Sequence, residues 1–70
     1  MSKDKMALAD LLKTLREKNG LSVRQLAHLI GKDPAQVSRW ENGNVVPSIY
    51  TLQALAYALD YDFYELLKLI

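Results

Sequence analysis

Two helix starts follow one another closely in this chain, at Ser22 and Asp33 with Gly31 between them, and they constrain the fold more than any other feature. In LSVRQLAHLIGKDPAQVSRWENG, residues 21–43, Ser22 is followed at its third position by Gln25, and Asp33 by Gln36. Each cap oxygen can accept from a free backbone N–H of the first helical turn, while the glutamine amide reaches back to the cap residue. Pro34 falls in the first turn of the second segment, where its missing N–H costs nothing. Gly31 can adopt the positive φ that ends one helix sharply and lets the next leave at a steep angle. The pattern predicts two short helices joined by a tight turn.

Periodicity assigns the faces of these helices. Leu26, Ala27 and Ile30 share one side of the first; Val37, Trp40 and Glu41 share one side of the second. With Val37 turned inward, Ala35, Arg39 and Asn42 point the opposite way, with Gln36 and Ser38 on the flanks. A short, polar, cationic outward face is what a reader of the DNA major groove requires.

Three more helices are expected around this pair. The first runs from near Asp4 to Lys18 or Asn19, with Leu8, Leu11, Leu12 and Leu15 as its apolar stripe and Gly20 as its stop. Ser48 caps a fourth, whose inner face is Leu52, Leu55, Ala56 and Leu59. Asp62 and Glu65 form a further capping box that opens a fifth, containing Phe63, Leu66, Leu67, Leu69 and Ile70. No segment alternates with period two over a strand's length, although Asn44-Val45-Val46 is locally ambiguous.

From about Leu8 to Leu67 the chain resembles the Cro and lambda-repressor-like (Xre) helix-turn-helix family. The resemblance is carried by Leu12, Leu15, Arg16, Gly20-Leu21-Ser22, Leu26-Ala27, Gly31, Val37-Ser38-Arg39-Trp40-Glu41, Asn42-Gly43, Pro47-Ser48, Leu52, Leu55-Ala56, Ala58-Leu59 and Leu66-Leu67. It implies an all-α, five-helix lambda-repressor-like DNA-binding domain, residues 1–70, with the helix-turn-helix at about 22–42 formed by helices 2 and 3. It also implies an ion pair between Arg16 and Glu41, tying the first helix to the end of the recognition helix. The chain departs from the family pattern at Val23, where glutamine is frequent, and at Asn44, Val45 and Val46, where lysine or arginine is frequent. Pro34 and Ala35 occupy the family's foremost base-reading positions, and neither side chain can hydrogen-bond.

Size and charge set bounds. A chain of 70 residues buries only about 60% of its unfolded surface, so stability is marginal without a partner. The largely apolar run Ile49 to Leu59 is too short for a membrane span of roughly 20 residues. The N-terminal MSKDKMALADLLK is broken by Asp10 and Lys13, so no signal peptide is expected. The absence of cysteine excludes disulfides and thiolate metal sites and suits a cytoplasmic protein. Net charge is only +1, but it is unevenly spread. Residues 1–54 hold eight Lys/Arg against five Asp/Glu, whereas residues 55–70 hold Lys68 against Asp60, Asp62 and Glu65. The acidic end is expected to face solvent or a partner rather than phosphates.

Candidate base contacts are Arg39, whose guanidinium can fork onto guanine N7 and O6, together with Gln36, Ala35 and Lys32. Gln36 has two available roles, capping its own helix or pairing with adenine. Ala35 can touch a thymine methyl. Candidate phosphate contacts are Arg24 and, as a second role, Lys32, which flank the two helix starts, the backbone N–H groups near Ser22 and Val23 and around Asn42 to Asn44, and the side chains of Ser38 and Trp40. Trp40 is expected mainly in the core, with its indole N–H reaching a carbonyl or a phosphate. His28 is a lone surface imidazole. Tyr57, Tyr61, Tyr64, Leu69 and Ile70 suggest a dimer interface near the last helix.

The expected function is a transcriptional regulator, a repressor or autoregulator, that binds double-stranded DNA as a homodimer on a palindromic operator. No cofactor, metal or small-molecule substrate is expected. The rival is a protein-interaction module such as an antitoxin, gripping a protein partner through its tyrosines with weak or secondary DNA binding; Val45 and Val46 favour it slightly. An enzyme is the poorest fit: there is no cysteine nucleophile, one histidine, no Gly-rich phosphate loop and no evident carboxylate pair.

Overall fold

The computed structural model describes residues 5–70, which form five helices: α1 (Lys5–Lys18), α2 (Val23–Ile30), α3 (Pro34–Glu41), α4 (Ile49–Ala58) and α5 (Phe63–Leu67). No strand forms among the described residues, and Asn44-Val45-Val46 belongs to an irregular loop. The expected start of α1 near Asp4 lies outside them. The fold is all-α.

Every helix contributes to one apolar cluster. Leu8, Leu12 and Leu15 of α1 meet Leu26 and Ala27 of α2, Val37 and Trp40 of α3, Leu52, Leu55 and Ala56 of α4 with Leu59 just beyond it, and Leu66 of α5. These are the stripes that the 3.6-residue period marks out, and burying each leucine is worth roughly 1.5–3 kcal/mol. Helix α2 packs on α3 and α4, α1 on α3, and α4 on α5. Among the described residues, Thr51 of α4 is the polar residue that is buried. Its N–H donates to Ser48 Oγ, and the Ser48 hydroxyl donates to Thr51 Oγ1 at 3.1 Å, so the cap of α4 also satisfies the polar group beneath it.

Helix ends are closed by a repeated device. At the end of α2, Gly31 takes φ 67°, its N–H donates to His28 O, and the Lys32 N–H reaches back to Ala27 O at 2.9 Å. This two-bond closure satisfies carbonyls the helix would otherwise leave bare, and it requires a left-handed residue at the turn. The same arrangement ends α4, but there the left-handed residue is Asp60, at φ 55°, with Asp60 N–H on Tyr57 O and Tyr61 N–H on Ala56 O. Asn19 supplements the closures: its Nδ2 donates to Leu15 O and Leu59 O, joining the ends of α1 and α4.

Polar contact between α1 and α3 rests on Arg16. Its Nε and Nη2 donate to the two Glu41 carboxylate oxygens at 2.6 and 3.0 Å, and its Nη1 donates to Leu21 O at 2.8 Å. Both side chains are about nine-tenths buried, at 11% and 7% exposure, so solvent screens the pair weakly. The hydrogen bonds to Glu41 push the Arg16 guanidinium further toward its charged form, against the opposing effect of burial.

The chain end corrects the expectation drawn from its residues. Helix α5 stops at Leu67, so Leu69 lies in the turn that follows and Ile70 beyond it, neither in the helix. The Asp62–Glu65 box does not form, and Asp62 acts as a simple cap. Asp62 Oδ1 accepts from Tyr64 N–H at 2.9 Å, but Glu65 turns away from the cap to pair with Lys68 at 3.0 Å. The reason is local: an oppositely charged ammonium lies three residues on, in the position where helical neighbours meet.

Two stability changes are expected. Glu41→Ala leaves Arg16 with a buried, uncompensated charge and should cost about 3–5 kcal/mol, whereas the double change Arg16→Met, Glu41→Leu should recover most of that loss. Thermal denaturation of the three proteins checks it. Asp60→Gly relieves the left-handed strain and should raise stability by up to about 1 kcal/mol, read from the urea midpoint.

Candidate nucleic-acid interface

Helix α3 follows α2 across the left-handed Gly31 turn and is fastened at both ends. At its start, Asp33 Oδ1 accepts from Ala35 N–H at 2.8 Å, Asp33 O accepts from the N–H groups of Gln36 and Val37, and Pro34 has no N–H to satisfy. At its end, Gly43 takes φ 75° and its N–H meets Trp40 O, while Asn44 N–H meets Arg39 O. The inner side is Val37 and Trp40, both buried, with the largely buried side chain of Glu41 beside them. The outer side is exposed: Ala35, Arg39 and Asn42 recur at helical spacing down its centre, Gln36 lies at one edge, and half-buried Ser38 lies at the other.

Gln36 is engaged in the capping box, its Oε1 accepting from Asp33 N–H at 3.4 Å. The bond is long and exposed. A two-point contact with adenine needs both ends of the amide, so it requires Gln36 to leave this cap. Lys32 is exposed in the turn just before the cap, adjacent to the start of α3.

Flanking α3, the start of α2 presents a second surface. Its box is complete: Gln25 N–H donates to Ser22 Oγ at 3.0 Å and Ser22 N–H donates to Gln25 Oε1 at 2.8 Å. The amides of Val23 and Arg24 then have no internal acceptor among the described residues. Free N–H groups at the positive end of the helix dipole suit an anion. The Arg24 side chain is exposed beside them and lines an open groove of about 460 Å³ with Leu21, Gln25, His28 and Leu29. The Val23 side chain is half-buried and packs on the core, leaving its backbone as the part that can reach outward.

Beyond α3 the structure corrects the expected clamp. The amides of Asn42, Gly43 and Asn44 all donate to carbonyls of α3, to Ser38, Trp40 and Arg39 respectively, because closing the helix consumes them. Only the side chains of Asn42 and Asn44 remain exposed. The next two residues take over the open positions: the amides of exposed Val45 and Val46 have no acceptor among the described residues. Nothing in the valine side chains signals this. The helix-closing pattern at Gly43 does, because it engages the amides of Gly43 and Asn44 and leaves those beyond them open.

Trp40 is 6% exposed and belongs to the core, yet its indole N–H makes no hydrogen bond among the described residues and is not sealed off from solvent. Near the chain end, Tyr57 and Tyr64 are 92% and 71% exposed, and Ile70 is also exposed. Tyr61 and Leu69 differ from the expected exposed surface: both are half-buried and pack against the core, Tyr61 directly after the Asp60 turn, which folds it back.

Among known proteins, the model of the family described as Helix-turn-helix (HTH_3) matches residues 12–66. The chain belongs to the helix-turn-helix family. Its Xre/Cro-like members are DNA-binding transcription regulators, and regulators are among the solved structures similar to this chain. The restriction-modification controller protein C.AhdI from Aeromonas hydrophila is 36% identical, with a TM-score of 0.84 over 90% of this chain and 91% of that one. SinR, the master regulator for biofilm formation, in complex with DNA, is 28% identical, with a TM-score of 0.79 over 86% of this chain and 97% of that one. The fold also recurs inside hydroxypropylphosphonic acid epoxidase from S. wedmorenis at 30% identity and a TM-score of 0.81, where it matches 94% of this chain but only 35% of the enzyme. No curated protein matches. Among the described residues no helix is long and apolar enough to cross a membrane, and no three His, Cys, Asp or Glu side chains are grouped as they would be to hold a metal ion.

The turn after α3 yields a test of how rigidly the interface is held. A Cβ on Gly43 would meet Met6 Sδ at 2.5 Å, and the positive φ adds strain of its own. Met6 is an exposed, flexible side chain that can swing away, so the lasting cost of Gly43→Ala is the strained positive φ, about 1–2 kcal/mol, seen as a lowered melting temperature that Met6→Ala should not recover.

Proposed function

We propose that this protein binds a palindromic site in double-stranded DNA as a homodimer and represses transcription there, at its own promoter among others, in the cytoplasm. The observation that carries this is the outward face of α3. Arg39, Ala35 and Asn42 stand clear of the protein body on a short helix whose other side is locked into the core by Val37 and Trp40. A helix of this kind fits the major groove, and two of them about 34 Å apart would read two half-sites on successive turns.

Each group then has a role. Arg39 forks onto a guanine. Arg24, Lys32, the Val23 and Arg24 amides and the Trp40 indole N–H contact phosphates and set the register, while the Val45 and Val46 amides stand in for the cations the family often has there. Tyr57 and Tyr64, the most exposed large apolar side chains of the acidic end together with Ile70, form the dimer contact. The likeness to SinR, solved in complex with DNA, supports the duplex as the ligand. Repression follows from occupancy: a bound dimer covers a promoter.

The test is selection of bound sequences from a random DNA pool, followed by affinity measurement on the recovered duplex. A two-fold symmetric consensus is expected. With two cationic phosphate contacts per subunit, affinity should fall with salt at a logarithmic slope of about −3 to −4. Arg39→Ala should weaken binding by roughly tenfold or more, at unchanged melting temperature. An unselected pool, or a recovered duplex that Arg39→Ala binds as well as the wild type, overturns the proposal.

A further inference from the structure

Given the DNA-binding function proposed above, on which this rests, we propose that the protein selects its site by the C5-methyl group of a major-groove pyrimidine, touched by Ala35, beside a guanine held by Arg39. Three observations lead there. Ala35 and Arg39 lie one turn apart on the centre of the exposed face of α3, so they are the side chains that enter deepest when that face meets a groove. Gln36, the neighbouring side chain able to read a base by hydrogen bonds, is engaged at Asp33 N–H. The Ala35 N–H is also engaged, on Asp33 Oδ1, so this residue offers the groove its methyl and nothing polar.

An apolar methyl at that place has one chemical counterpart in the major groove. The edges of guanine, adenine and cytosine show donors and acceptors there, and covering them with a methyl leaves polar atoms without partners. Thymine alone among the ordinary bases shows a methyl. A 5-methylcytosine shows the same group, so the shared chemistry is a C5-methylated pyrimidine, with thymine and methylated cytosine as its two sources. The spacing fixes where it lies. Four residues of helix rise about 6 Å, close to two base-pair steps of about 3.4 Å each, so the methyl should fall within about two base pairs of the guanine.

Uracil tests this directly, because it pairs as thymine does and lacks only the methyl. In the duplex recovered by selection, each thymine is replaced in turn by uracil, and each cytosine by 5-methylcytosine, with binding followed by fluorescence anisotropy. One thymine position per half-site, within two base pairs of a guanine, should lose about fourfold in affinity as uracil, and about fifteenfold when both half-sites are changed. Placing cytosine there should weaken binding, and 5-methylcytosine should recover about fourfold relative to cytosine. Ala35→Ser, at an exposed site that cannot unfold the core, should bring the thymine-to-uracil ratio close to one.

The outcomes separate the two proposals. If the duplex binds, Arg39→Ala weakens it, and no uracil substitution changes affinity more than twofold, methyl recognition is wrong and DNA binding stands. A uracil effect that persists unchanged in Ala35→Ser assigns the methyl to another residue and also overturns the inference. If no duplex is recovered at all, the DNA-binding function itself fails and this goes with it.

Discussion

Arg16 is the group on which the geometry of the interface depends. Its guanidinium reaches three places at once: both oxygens of Glu41 at the end of α3, and the carbonyl of Leu21 in the loop before α2. Apolar packing alone does not fix how a short helix is rotated about its axis, since a stripe of Val37 and Trp40 tolerates some slip. A planar fork meeting a carboxylate at two points tolerates much less. The pair therefore holds the C-terminal end of α3, while the Asp33 cap and the Gly31 turn hold the other, and the outward direction of Ala35, Arg39 and Asn42 follows from these three restraints.

Features governed by near neighbours were the ones legible in the chain. The Ser22–Gln25 and Asp33–Gln36 boxes, the Gly31 turn and the inner stripes of α1 to α4 are set within one or two helical turns, and each stands where the residues placed it. Local competition explains the failures at the end of the chain. Glu65 had two partners within reach, the Asp62 amide and the Lys68 ammonium, and the charge won. Asp60 in a left-handed conformation could not be foreseen, because the closure of α4 demands such a residue and the sequence supplies no glycine there. Its turn then folds Tyr61 inward, which counting helical faces could not show.

The candidate site was legible in its faces and not in its backbone. Side-chain alternation on α3 separated Val37 and Trp40 from Arg39 and Ala35 correctly because burial is a property of the period. Which amides stay open depends instead on how each helix terminates, and that is decided by hydrogen bonds between residues three to five positions apart. Hence the amides of Asn42 to Asn44 are engaged and those of Val45 and Val46 are open, although the side chains suggest nothing of the kind.

The cap of α3 has an implication for how such a protein could diverge. Asp33 holds Ala35 by its main chain, so nearly any residue except proline could stand at that position and keep the bond. The exposed Arg39 side chain likewise makes no hydrogen bond or ion pair among the described residues. The two positions that address the outside world are thus mechanically uncoupled from the scaffold, and a lineage could drift from one target to another through viable single steps.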